Sequence, residues 1–250
     1  NANLTTNNAA ITLSADDDAS GAGEVTVAGG VSVNSGGSAV NIKANDITFT
    51  GTINSGAGTT TILVSDGGTI LLGGGGADDM TIDAAELQNI TATNLIIGDA
   101  TNGNITIKNI GAAESNNVGT VTLNATNAAS TVLFQSGTST FNAITVNAGD
   151  SITANIGLTT DTGGATLNAA NGVTLNNTLT TAGATVINAD SDNNGSGTFT
   201  INNTLNTANN TLSVTAHDIA LNNTVNTGTA AVTLIASNGG TIGLGATAGD

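Results

Sequence analysis

The stretch Thr211-Leu-Ser-Val-Thr-Ala-His-Asp-Ile-Ala-Leu-Asn-Asn-Thr-Val-Asn-Thr-Gly228 can be laid over two others in the same chain. One is Val40-Asn-Ile-Lys-Ala-Asn-Asp-Ile-Thr-Phe-Thr-Gly-Thr-Ile-Asn-Ser-Gly56, the other Thr166-Leu-Asn-Ala-Ala-Asn-Gly-Val-Thr-Leu-Asn-Asn-Thr-Leu-Thr-Thr-Ala-Gly183. The phrase Asn-Asn-Thr, followed by Leu or Val, begins at Asn176, Asn202 and Asn222. Within each copy apolar and polar residues alternate, which puts one face of an extended strand inward and the other outward. Gly, Asn, Asp and Ser gather between the alternating runs, and they tolerate the left-handed backbone of tight corners. Strands recurring roughly every 10 residues suit a sandwich, a barrel or a solenoid. Repetition of the sequence itself at about 20 residues decides for the solenoid, because a sandwich has no reason to repeat its sequence from turn to turn.

The expected fold is therefore all-β: a single-stranded parallel β-helix of about 12 coils, continuous over residues 1–250, with one longer copy between Ala184 and Asn210. Stacked at the inter-strand spacing, such a rod is roughly 55–60 Å long. Like residues then stand above one another, so Asn and Thr form ladders from coil to coil. The absence of Pro fits, since each coil needs its backbone N–H donors. One stretch departs from the strand pattern: Asp83-Ala-Ala-Glu-Leu-Gln-Asn89 holds good helix formers. It reads either as a single helical turn or as a strand imposed by its neighbours, and the neighbours favour strand.

Composition narrows the function. The chain has 250 residues, a formal charge of −16, no Cys, and four aromatic residues, all Phe. Aromatic residues normally supply much of a core's bulk. Here 38% of residues are still apolar, so the chain is not a disordered acidic one. A narrow core of Ala, Val, Ile and Leu fits both facts. Lys43 and Lys108 are the only basic residues, too few to displace counterions from nucleic acid or to hold anionic lipid. No stretch approaches the ~20 apolar residues of a membrane helix. Neither end carries a polar cap, a helix or a Pro-rich blocking segment, so residues 1 and 250 read as points where a longer rod continues or where subunits stack end to end.

The repeat of T-L-x-V-x-A-x-D-I-x-L-x-x-T-V-x-T-G type resembles the coil consensus of filamentous haemagglutinin-like exoproteins and giant β-strand-repeat surface adhesins. The stretch Met80–Asp99, followed by Gly103-Asn-Ile-Thr-Ile107, is similar to a recurring block of these large proteins. The resemblance spans essentially the whole chain. It implies a right-handed β-helix, export to the cell surface, and a role in adhesion, matrix or sheath. It implies no catalytic residues.

Candidate chemistry is sparse. The only His is His217, followed by Asp218; both fall at the repeat positions of Asn45 and Asp46 and read as a corner, not a catalytic pair. The acidic groups Asp16-Asp17-Asp18 and Asp78-Asp79 could suggest glycan cleavage, but Trp and Tyr for stacking sugars are absent, and solvated corner charge fits better. Gly73-Gly-Gly-Gly-Ala-Asp-Asp-Met-Thr81 matches one copy of a calcium β-roll motif that works in tandem. Asp190-Ser-Asp-Asn-Asn-Gly195 opens like a calcium loop, with Asp190, Asp192 and Asn194 at alternate positions before a Gly turn, although Ile201 stands where a twelfth-position Glu belongs. Calcium at that loop is the one cofactor expected. The function expected is that of a structural rod in an extracellular adhesin, matrix or sheath, without catalysis. Surface glycans are candidate partners, and a carbohydrate-binding or carbohydrate-cleaving β-helix is the alternative.

Overall fold

A computed structural model of the chain describes residues 2–76 and 78–244. It is a parallel β-helix. The longest sheet holds 12 strands, and its main path passes through ten of them in order from Leu4–Thr5 to Val232–Ala236. A second sheet of nine strands and a third of five form further faces. Among the described residues every strand pair is parallel, and strands pair with their counterparts one coil away, except Met80–Ile82, which pairs with Ile70–Gly73 of the same coil. One column of the long sheet reads Leu13, Ile42, Ile62, Ile97, Leu123, Val146, Leu167, Ile187, Val214 and Leu234. All ten are apolar and face the core. The alternation seen in the sequence is the burial pattern itself: in Val40–Ala44, Ile144–Ala148, Ala165–Ala169 and Leu212–Ala216 the first, third and fifth residues are buried. A small Ala closes each of these strands, where the chain bends towards the next face. The four Phe side chains are fully buried and supply the few bulky fillers.

Two expectations change. The described residues trace ten rungs, not about 12, which shortens the stacked length to roughly 45 Å. The reason is uneven coil length: the next coil brings Thr185 beside Ala165, but the chain runs on from Ile62 as far as Ile97 before it comes back beside Ile62. The chain between these two residues spends its excess on an inserted strand, Met80–Ile82, and a helix, α1 (Ala84–Gln88). Asp83–Asn89 is thus helical and not strand. Asp83 caps the helix: its side chain accepts from the Glu86 amide at 2.8 Å, and the Glu86 carboxylate accepts from the Asp83 amide at 2.8 Å. This reciprocal box satisfies donors that a short helix otherwise leaves open. The other Glu86 oxygen accepts from the Phe49 amide at 2.9 Å, tying the helix to the preceding coil. A second helix, α2 (Ala112–Ser115), lies against α1 in the next coil. Both occupy the face that the five-stranded sheet takes over from Ser139 onward.

Backbone pairing and hydroxyls complete the corners. Ser35, Ser55, Thr160, Thr181, Thr207 and Thr227 are buried, and each donates to a carbonyl two or three residues on. Among the described residues no buried side-chain nitrogen or oxygen lacks a partner.

Candidate functional site

The loop that sequence singled out joins the strands Thr185–Asn188 and Thr198–Ile201. Asp190 is only 2% exposed. Its Oδ1 accepts from the amides of Asn194 at 3.1 Å and Gly195 at 3.4 Å, and its Oδ2 accepts from the Ser237 hydroxyl at 2.5 Å. Asp192 is exposed, and its two oxygens accept from the amide of Asn194 at 3.3 Å and from the Asn194 side-chain Nδ2 at 2.7 Å. The Asn194 Oδ1 accepts from the Ser196 hydroxyl at 2.5 Å. The structure brings Asp190, Asp192 and Asn194 together, but with N–H donors lying between the two carboxylates. A hard cation needs several oxygens turned into one space. Here one Asp190 oxygen closes the loop and the other is engaged by Ser237 of another coil. Among the described residues, no three His, Cys, Asp or Glu side chains gather into a metal-holding group.

This loop has a twin that the reading by about 20-residue repeats missed. Asp16 is 3% exposed, and its carboxylate accepts from the amide and hydroxyl of Ser20, both at 2.9 Å, and from the Gly21 amide at 3.1 Å. Its Oδ2 accepts from the Ser65 hydroxyl at 2.5 Å. The Ser65 bond foremost, with the Ser20 and Gly21 donors behind it, holds the Asp16 carboxyl well below the usual carboxylate range against the opposing cost of burial. The signal was present in the sequence: Ala-Asp-x-Asp-x-x-Gly-x-Gly at residues 15–23 and again at 189–197. The final Gly is required in both, since a Cβ on Gly23 or Gly197 would run into the carbonyl of Ala15 or Ala189.

The remaining candidates serve the corners. The amides of Asn45 and His217 donate to the carbonyls of Gly23 and Gly197, both at the same point of their coils. His217 Nδ1 lies 3.2 Å from the Ser237 carbonyl oxygen, while the Ser237 hydroxyl donates to Asp190 and not to the imidazole. Asp218 accepts from the Thr241 hydroxyl at 2.8 Å and amide at 3.1 Å, and these bonds, the hydroxyl first, lower its carboxyl below the ordinary value. Asp79 accepts from the Thr69 amide at 2.7 Å and hydroxyl at 2.9 Å, and these bonds, the amide first, lower its carboxyl below the ordinary value. Thr69 and Thr241 occupy matching places after Ser65 and Ser237. Ala77, in the Gly73–Thr81 stretch, lies outside the described residues, as do Asn1 and Asp250, on which the end-stacking expectation falls.

No protein-family profile, curated protein or solved structure matches the chain. The molecule's own surface must carry the reading. Its most regular features are asparagine ladders. Asn168 donates to Asn147 and Asn147 to Asn124, each at 2.8 Å. Along a corner, Asn222, Asn202 and Asn176 donate in turn to Asn202, Asn176 and Asn155 at 3.1, 2.9 and 2.8 Å. The Asn-Asn-Thr phrase is thereby explained: its first Asn climbs the ladder, and its second accepts from the following Thr amide, as at Asn177, Asn203 and Asn223. Beside the N-terminal coils lie shallow depressions of about 420 Å³ and about 390 Å³, with Lys43 and Leu63 common to both.

Proposed function

We propose that the chain is a structural rod module of an extracellular adhesin, matrix or sheath filament, and that it performs no catalysis. The observation that carries this reading is the unbroken stacking: columns and Asn ladders run from coil to coil, and the polar corner groups are engaged in holding the coils together. Neighbour-on-neighbour stacking of this kind supplies length and stiffness. The partner in the proposal is another coil of the same architecture, either in a longer chain or in a second copy stacked end to end. Its support is apolar exposure confined largely to the outermost coils: Leu4 is 42% exposed, Ile242 41% and Leu244 70%. Ile70 and Leu72, the counterparts of Ile242 and Leu244 in an inner coil, are fully covered.

Small-angle scattering over a concentration series tests the proposal, with Leu244→Asp as comparison. The parent is expected to lengthen along one axis in steps of roughly 45 Å, and the variant to stay a single rod. A parent that stays single at all concentrations, together with saturable binding on a glycan array, overturns the rod reading in favour of a carbohydrate-binding one. The depressions around Lys43 are the observation that supports that second reading. Calcium at Asp190, Asp192 and Asn194 would have to displace the Asn194 and Ser237 donors, and it is not part of the proposed mechanism.

A further inference from the structure

In a plain solenoid each coil touches only the coils directly above and below it. Among the described residues, two places break that rule. Ile11 pairs with Val40 and Val40 with Thr60, so residues 11, 40 and 60 mark three successive coils. The hydrogen bond between Asp16 and Ser65, 49 residues apart, therefore joins the first of these coils to the third. At the other end, Thr185 pairs with Leu212 and Leu212 with Val232. There the bond between Asp190 and Ser237, 47 residues apart, again joins first to third, and Asn238 reinforces it by donating to the Asn193 carbonyl, 45 residues back. These are the most widely separated side-chain hydrogen bonds among the described residues.

The parts correspond one for one. The loop is Ala-Asp-x-Asp-x-x-Gly-x-Gly in both copies. The coil it passes over presents Asn45-Asp46 in one and His217-Asp218 in the other, with the Asn45 and His217 amides held by the loop's last Gly carbonyl. The coil it reaches presents Ser65-Asp-Gly-Gly-Thr69 or Ser237-Asn-Gly-Gly-Thr241. Each loop thus spans a whole coil, grips it in passing and ends on the next.

We infer that each loop is a three-coil lock, which makes the coils at residues 11–73 and those at residues 185–244 open as blocks and not one coil at a time. The lock adds a next-nearest-neighbour coupling to a molecule whose other contacts run between neighbours. Loss of the outermost coil by fraying then requires breaking its bond to the third coil as well as its pairing with the second. The inference depends only on coil contacts, so it stands whether the chain is a rod module or binds a glycan.

Native-state hydrogen exchange on the full chain tests it, comparing the parent with Ser65→Ala and, as a control, Ser130→Ala. The Ser130 hydroxyl donates to the Asn102 carbonyl at 3.1 Å and joins neighbouring coils only. Ser65→Ala is expected to speed exchange about tenfold in strands 11–14, 40–44 and 60–64 together, while 144–148 and 165–169 stay unchanged. Ser130→Ala is expected to act only on its own and adjacent coils. Should Ser65→Ala prevent folding, Ser237→Ala provides the same comparison at the other lock, read in strands 185–188, 212–216 and 232–236. Acceleration confined to the substituted strand and its immediate neighbour, or no acceleration at all, overturns the lock.

Discussion

Ala19 holds a left-handed backbone with φ 51°, and Asn193 holds φ 55° at the matching place in the second lock loop. A Cβ in that region costs an L-residue roughly 1–2 kcal/mol, and Asn bears it better than Ala because its short side chain bonds locally. Ala19→Asn should therefore raise stability by about 0.5–1 kcal/mol and Asn193→Ala lower it by a similar amount. Denaturant melts with unchanged slope check both; a loss of stability in Ala19→Asn would mean that the position tolerates no side chain beyond Cβ. The same residues show why part of the site was legible and part was not. Asp190, Asp192 and Asn194 stood out because the alternate spacing resembles a cation loop. Their neighbour in function, Ser237, lies 47 residues away, and a reading that compares each coil with the next does not look that far.

Among the elements, α1 is where local and neighbouring influences compete. Sequence carried both halves of its capping box, Asp83 and Glu86, yet the flanking strand pattern argued for extension. What the sequence could not display was the Phe49 amide, a donor on the preceding coil that the Glu86 carboxylate satisfies only if the chain turns helical. Asp83→Ala should cost about 1 kcal/mol, the usual value of an N-cap. Glu86 adds a pH signature. Burial, foremost, raises its carboxyl above the ordinary value despite the bonds from Asp83 and Phe49. A raised folded value means the native state holds the proton more tightly than the unfolded one. The Glu86 contribution to stability is therefore full below about 4.3 and declines as pH rises through the raised folded value. Glu86→Gln lacks that decline, so the difference in melting between variant and parent should move in favour of the variant across that window. A difference that stays constant with pH would contradict the burial of an ionising group there.

For the whole molecule, period-two alternation and internal repetition made the parallel stacking readable, because both follow from one chain burying alternate residues against copies of itself. The count of coils was less accessible. It depends on where the chain inserts Met80–Ile82 and two helices, and local irregularities of that kind carry no period. The central claim is the register, and one outward column displays it: Asn41, Thr61, Ile96, Thr122, Thr145, Thr166, Val186 and Ser213 stand one above another. The chain has no Cys, so paired Cys substitutions can carry spin labels without background. Pulsed electron resonance between labels at Thr122 and Ser213 should give a separation of roughly 19 Å, and between Asn41 and Ser213 roughly 34 Å, growing by about 4.8 Å for each intervening rung. Separations that fail to grow with the number of rungs would contradict a parallel stack of coils.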